Sequence, residues 1–302
     1  MRASYQIWRD RRGRLSALRV GALAALLLPL AFAVHDASSN GLGARPLNDL
    51  IHRTGYWALI FLLVSLAVTP LRRIGRFGQL VDVRRMVGVG AFVYAAAHLG
   101  LYVADQGFDL WKVATEIALR LYLTIGFVAW IGLAVLAATS TDAMTKRLGG
   151  RNWRRLHQAA YVIALLALVH YFQQTKADVT VPTFTAGLFG WLMGYRFITW
   201  WSRTDRELSP FALALLSLGI CMLTFAAETL GISLVFGAPP FAVLQTAFDF
   251  DGAIRPGWLV LLAGFAVVLL DLVRSRQRDR SGRRHRPDRP LAVPRQETTT
   301  LR

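Results

Sequence analysis

The sequence predicts an all-α, polytopic transmembrane bundle of about eight spans, and three observations predict it. The 302 residues are 54% hydrophobic and only 18% charged, with a mean hydropathy of +0.40. The apolar residues collect into runs near 17–34, 55–71, 86–104, 121–139, 157–173, 183–201, 210–229 and 257–273, the length needed to cross about 30 Å of hydrocarbon. These runs lack the two-residue alternation of a barrel strand. Helices are then the structure that satisfies every backbone group within lipid. The third observation is where the positive charge lies.

The formal net charge is +17, and its placement argues for membrane topology rather than nucleic-acid binding. Of the 35 Lys and Arg, all but Arg45, Arg53, Lys112, Arg120, Lys176 and Arg255 fall in the N-terminus, in every second connection or in the C-terminal tail. By the positive-inside rule both termini are expected in the cytoplasm. The connections containing Asn40 to Arg53, Asp105 to Arg120, Thr175 to Pro182 and Gly231 to Pro256 are then expected on the other side.

The spans can be justified in order. The first has a basic start and an Ala31-Phe32-Ala33 stretch resembling a cleavable signal peptide. Retention is expected, because Arg72 and Arg73 after the second span fit a two-span hairpin. The third span starts at Arg84 and Arg85 and carries His98. The fourth is apolar throughout. The fifth, beginning after Arg154 and Arg155, carries His157 and His170. In the sixth, Trp191, Trp200 and Trp201 read as interface anchors, as does Trp258 in the eighth. The seventh holds the sole cysteine, Cys221, which permits no internal disulfide and no Cys-pair metal site. Glu228, near its end, is a candidate for a proton path. Asp271 and Arg274 in the eighth span are placed for a surface ion pair. The aromatic connection from Phe236 to Arg255 suits packing against the bundle or contact with a partner. The tail, 275–302, is rich in Arg and Pro and lacks apolar periodicity, so it is expected to be disordered and close to anionic lipid headgroups.

The histidines carry the functional signal. An imidazole inside hydrocarbon is costly and usually faces the bundle interior with a partner. Neutral imidazole is also a standard axial ligand of haem iron. His98 lies thirteen residues beyond Arg85, and His170 thirteen beyond His157, in spans running the same way. At 1.5 Å per residue each interval is about 20 Å, which makes His98 and His170 level, far from the basic side. They are the expected ligands of a bis-histidine haem b, with His157 serving a second haem or another cofactor near the basic side. Thirteen residues rotate a straight helix by about 220°, so His157 and His170 do not share a face unless the helix is distorted. Gly88, Gly90, Ala91, Ala95 and Ala97 in the third span, with Ala160, Ala164 and Ala167 in the fifth, suit close approach of a flat ring or ordinary helix packing.

Three stretches carry a family resemblance: Ala44-Arg45-Pro46 to Arg73 (ARPLNDLIHRTGYWALIFLLVSLAVTPLRR), Arg84-Arg85-Met86-Val87-Gly88 to His98, and TSTDAMTKRLGGRNWRRLHQAAYVIALLALVHY from Thr139 to Tyr171. Together they resemble the MsrQ (YedZ) family, haem-binding membrane subunits of the MsrPQ methionine sulfoxide reductase system within the ferric reductase-like transmembrane superfamily. The resemblance covers about residues 15–200, six of the eight spans. It implies four divisions: a basic N-terminus (1–16), a ferric reductase-like haem domain (17–201), two additional helices (202–274) and the tail (275–302).

The resemblance also implies a role. Family members pass electrons from the quinol pool through haem b and flavin mononucleotide (FMN) to MsrP, a periplasmic molybdopterin subunit that reduces methionine sulfoxide in oxidised envelope proteins. His98, His157 and His170 match the family's haem-associated histidines. Relatives such as NADPH oxidases have a further histidine about one haem spacing before the outer one on the third span. Here Arg84 or Arg85 stands there, suited to a haem propionate, a flavin phosphate or a positive-inside anchor. No Gly-rich nucleotide fingerprint follows a strand, so the electrons are expected from a diffusible donor or another protein. Two other readings are a transmembrane reductase acting directly on ferric or cupric ions, and a transporter or structural protein whose histidines bond across helices.

Overall fold

The computed structural model describes residues 8, 14–39, 41–175, 178–202 and 208–284, with side chains to residue 276. Among the described residues there are helices and no strands. In order they are α1 (Ala17–Ser38), α2 (Pro46–Ile74), α3 (Val81–Asp105), α4 (Leu110–Leu119), α5 (Leu121–Ala138), α6 (Asp142–Leu148), α7 (Gly150–His157), α8 (Ala159–Gln174), α9 (Thr180–Trp201), α10 (Pro210–Phe236), α11 (Pro240–Gln245) and α12 (Pro256–Arg284).

Among the described residues seven stretches are long and apolar enough to cross a membrane: α1, α2, α3 with its preceding turn, α5, α7 with α8, α10, and α12 to Arg276. The expected count was about eight. The sixth expected span is present as α9, but threonines, Gly187, Gly190, Gly194 and Arg196 among its 22 residues leave it outside the seven. Burial explains that composition. Thr185, Trp191, Leu192 and Tyr195 of α9 are all buried in the bundle, where polar and small residues suit helix contact better than lipid contact. Trp191, expected as an interface anchor, instead donates its indole N–H to Ser217 Oγ at 3.0 Å.

Local sequence explains several helix ends. Ser209 caps α10 by accepting from Ala212 N, with Pro210 following at the first helical position. At the other end Gly237 has φ +67°, the left-handed conformation that ends helices and strains any residue with a Cβ. Asp109 caps α4 through Lys112 N at 2.9 Å. Thr141 caps α6 through Met144 N.

Three helix hairpins build the bundle. Helices α2 and α3 pair, as do α5 and α8, and the two pairs join through α3–α5 and α2–α8 contacts. Helix α9 lies between this core and the third hairpin, α10 with α12. The seam is dense: Leu66, Ala91, Ala164, Tyr195 and Leu213 are almost wholly inaccessible. Helix α1 leans on α2 and α3. Its Leu26 carbonyl accepts from Tyr94 Oη at 2.7 Å, and Asp36 pairs with Arg53 of α2.

Pro70 lies inside α2, and a proline there cannot donate to the carbonyl four residues earlier, which is Leu66. Arg196 of α9 supplies the missing donor. Its guanidinium reaches Leu66 O at 2.5 Å and Leu192 O at 2.9 Å, and lies 5.2 Å from the centre of the Tyr161 ring.

The third hairpin buries both of its singled-out carboxylates. Glu228, a proton-path candidate by sequence, accepts from Arg255 at 3.2 Å, and Arg255 also donates to Thr246 Oγ1 at 2.6 Å, tying the outer connection down. Asp271 is buried rather than at the surface, and Arg274 lies over the Phe77 ring at 3.9 Å. Helix α12 continues to Arg284. The remainder of the expected disordered tail, 285–302, lies outside the described residues.

Candidate functional site

His98 on α3 and His170 on α8 face one another, with ring centres 6.2 Å apart and planes at 83°. His98 Nδ1 lies 2.8 Å from Ile51 O of α2, and His170 Nδ1 lies 2.8 Å from Tyr122 O of α5. A carbonyl only accepts, so each Nδ1 carries the proton and each neutral ring keeps Nε2 as a lone-pair donor. A metal–imidazole bond is about 2.0 Å long, and two of them to one ion place the ring centres roughly 6 Å apart. The spacing here matches that requirement.

Two glycines make room for the rings. A Cβ on Gly55 of α2 would lie 2.9 Å from His98 Nδ1, and one on Gly126 of α5 would lie 2.8 Å from His170 Nδ1 and Cε1. Each glycine stands four residues after the carbonyl that receives the imidazole proton, Ile51 before Gly55 and Tyr122 before Gly126. The two hairpins thus present the same device: one helix supplies a histidine, and its partner supplies a carbonyl and a glycine one turn apart.

Both rings line a cavity of about 480 Å³ between α2, α3, α5 and α8. Its deep wall is apolar, with Ala58, Leu62, Ala129 and Leu133. Its mouth, beneath α4, carries His52, Lys112 and Arg120. Arg120 pairs with Glu116 and reaches Tyr122 Oη at 3.3 Å. The indole nitrogen of Trp130, which also lines the cavity, is buried with no hydrogen-bond partner. A haem needs apolar walls, two opposed imidazoles and cations near its carboxylates. This donor set fits it.

The remaining expected site residues gather elsewhere. His157 does not line this cavity. Its ring stacks on Trp153 at 3.9 Å, Nδ1 donates to Trp153 O at 3.1 Å, and Nε2 lies 3.3 Å from Ser140 Oγ. Helix α7 ends at His157 and α8 begins at Ala159, so an interruption at Gln158 separates the two histidines of the expected fifth span. Arg85 pairs with Asp142 at 2.5 Å. Arg84 lies within electrostatic reach of Arg196, Arg72 and Tyr161, and neither arginine lines the cavity.

Sequence reading missed Gly55, Gly126, Ile51, Tyr122 and Arg196. Arg196 carried a signal, a cation within an apolar run. The glycines carried a weaker one, since small residues in membrane helices more often mark plain helix contact. The two carbonyls carried none, because any residue type supplies one.

Comparison with known proteins follows the same helices. Residues 54–168 match the family described as the ferric reductase like transmembrane component, a stretch holding His98 and His157 and ending two residues before His170. The protein-methionine-sulfoxide reductase heme-binding subunit MsrQ of Xanthomonas oryzae pv. oryzae is 42% identical over 180 residues, 57% of this chain and 82% of that protein. The MsrQ protein of Rhodospirillum rubrum is 40% identical over 191 residues, 63% of this chain and 89% of that protein. No solved structure matches. Identity at this level across most of the relatives' length, over a helical bundle of the matching kind, places the chain in the MsrQ family of ferric reductase-like transmembrane proteins.

Proposed function

We propose that this protein is a haem b electron-transfer subunit of an inner membrane. It takes electrons from the quinol pool and delivers them to a periplasmic molybdopterin methionine sulfoxide reductase of the MsrP type, for repair of oxidised envelope proteins. The observation that carries the reading is the opposed pair of His98 and His170, each with Nδ1 committed to a backbone carbonyl and Nε2 left for a metal.

Bound haem b supplies a one-electron carrier within the low-dielectric core. The chain's own residues do the rest. His98 and His170 would hold the haem iron, and Ile51 O and Tyr122 O fix their tautomer and raise their basicity. The apolar wall excludes water. His52, Lys112 and Arg120 at the mouth suit the haem carboxylates. The pair stands seven residues before the end of α3 and four before the end of α8, toward the side where a periplasmic acceptor would dock. Both termini, on the arginine-rich side, are cytoplasmic in this reading. FMN enters through family resemblance alone. Arg84, Arg85 and His157 would be its partners at the cytoplasmic end, but Arg85 and His157 are engaged by Asp142, Trp153 and Ser140.

The test is the reduced-minus-oxidised absorbance spectrum and haem content of purified wild type, His98→Ala and His170→Ala. A b-type spectrum lost in both variants is expected, with His157→Ala keeping the outer haem. A haem-free wild type after haem-supplemented expression overturns the reading. Loss of MsrP reduction by quinol in the same two variants tests the electron route.

A further inference from the structure

The repeated device behind the two histidines goes further than ligation. An imidazole ligating a metal through Nε2 retains rotation about that bond, and the orientation of its plane depends on what the rest of the ring meets. Both rings here are held at two points. Nδ1 is drawn to a carbonyl one helix away, and the ring's back edge rests where a glycine has no side chain. The two constraints act together, because carbonyl and glycine lie one turn apart on the same helix. They hold the planes of His98 and His170 at 83°.

We infer that Gly55 and Gly126 are positioning residues that set crossed axial-ligand planes for the haem, each acting through the histidine it backs. The inference rests on the haem reading proposed for this site. Other glycines of these helices set the contrast. Gly100 on α3 has nothing within 4 Å of an added Cβ, whereas an added Cβ on Gly132 of α5 would meet the flexible Ile163 side chain. Among the glycines of α2, α3 and α5, only at 55 and 126 would the added carbon meet a ring that is itself held by a hydrogen bond. The ring would have to swing away from its carbonyl or withdraw from the metal.

Crossed imidazole planes leave the two iron d orbitals that overlap the ligand π systems nearly degenerate. The ferric low-spin haem then gives a strongly anisotropic electron paramagnetic resonance signal with a single large gmax. Parallel planes lift that degeneracy and give a resolved rhombic signal. The spectrum therefore reads ligand orientation directly, without any assay of electron delivery.

The experiment compares full-length wild type, Gly55→Ala, Gly126→Ala and Gly100→Ala, each purified in detergent. Helical content, monodispersity, haem-to-protein ratio and the ferric spectrum are measured. The wild type and Gly100→Ala are expected to share the large-gmax signal. Gly55→Ala and Gly126→Ala are expected to stay helical and monodisperse but to lose haem several-fold, or to keep it with the signal moved to rhombic or high-spin form. A rhombic wild-type signal overturns the inference with no variant needed, as does an unchanged large-gmax signal in both alanine variants at full haem content. A haem-free wild type is the distinct result that removes the underlying haem reading.

Discussion

A polar side chain in a membrane bundle has to be read with the backbone group it serves. His98 and His170 each pair with a carbonyl at 2.8 Å and keep one nitrogen for the cavity, whereas both nitrogens of His157 have protein partners. The same residue type at three positions of one chain therefore leads to different chemistry. Arg196 makes the point more sharply, because its partner exists only through another residue's defect: Pro70 leaves Leu66 O without its helical donor, and Arg196 fills the gap. Arg196→Leu is expected to destabilise the protein by about 1 kcal/mol, the scale of one hydrogen bond between membrane helices plus an unsatisfied acceptor. Pro70→Ala restores an N–H at position 70, so the same arginine substitution should cost less than half as much in that background. Denaturant unfolding of the four detergent-solubilised proteins of this double-mutant cycle checks it. Equal costs in both backgrounds would show that Arg196 acts elsewhere.

Legibility at the scale of elements followed periodicity and stopped where pairing began. The apolar runs located every long helix, and counting residues from Arg85 and from His157 placed His98 and His170 level, because rise per residue is fixed in a helix. Which faces meet is a tertiary matter, and so the glycines backing the imidazoles were not legible. Helix starts were underestimated where polar residues lead. The run from 55 became a helix from Pro46, bringing Ile51 and His52 onto α2 beside the cavity. Helix α4 was read as loop, although Asp109 ahead of it is a cap signal. It presents Leu110, Trp111 and Leu119 outward, while Lys112 and Glu116 line the cavity mouth. Apolar residues outward and charged residues inward give α4 the pattern of an interfacial helix. Asp109→Ala removes the cap and is expected to weaken α4 by about 1 kcal/mol. Amide hydrogen exchange should then accelerate across 110–119 and remain unchanged in α5 and α8. Exchange as slow as in wild type would show that packing alone holds α4.

At the scale of the whole molecule, charge is the expected orienting signal. Its arginines crowd the end where α2 finishes and α3 begins, recur around α6 and α7, and return after α9 and along α12, while the opposite end carries few. Eight crossings, the seven apolar stretches together with α9, are expected to leave both chain ends on the arginine-rich side and the opposed histidines near the other. The single cysteine makes this measurable, since Cys221 is wholly buried and Cys221→Ala gives a background without thiols at the cost of one small sulfur atom. Single cysteines can then be introduced at exposed positions of either end: Thr115→Cys on α4 and Asp251→Cys before α12, against Arg147→Cys on α6 and Ser202→Cys after α9. A membrane-impermeant maleimide applied to intact spheroplasts is expected to label the first two and to reach the second two only after permeabilisation. The reverse pattern would put the haem cavity at the cytoplasmic end and remove delivery to a periplasmic reductase, whatever the spectrum of the bound haem. Labelling at 115 but not at 251 would separate the core from the third hairpin. Helices α10 and α12 would then not cross as a pair, and the hold of Arg255 on Glu228 would have to form on the other side of the membrane from α4.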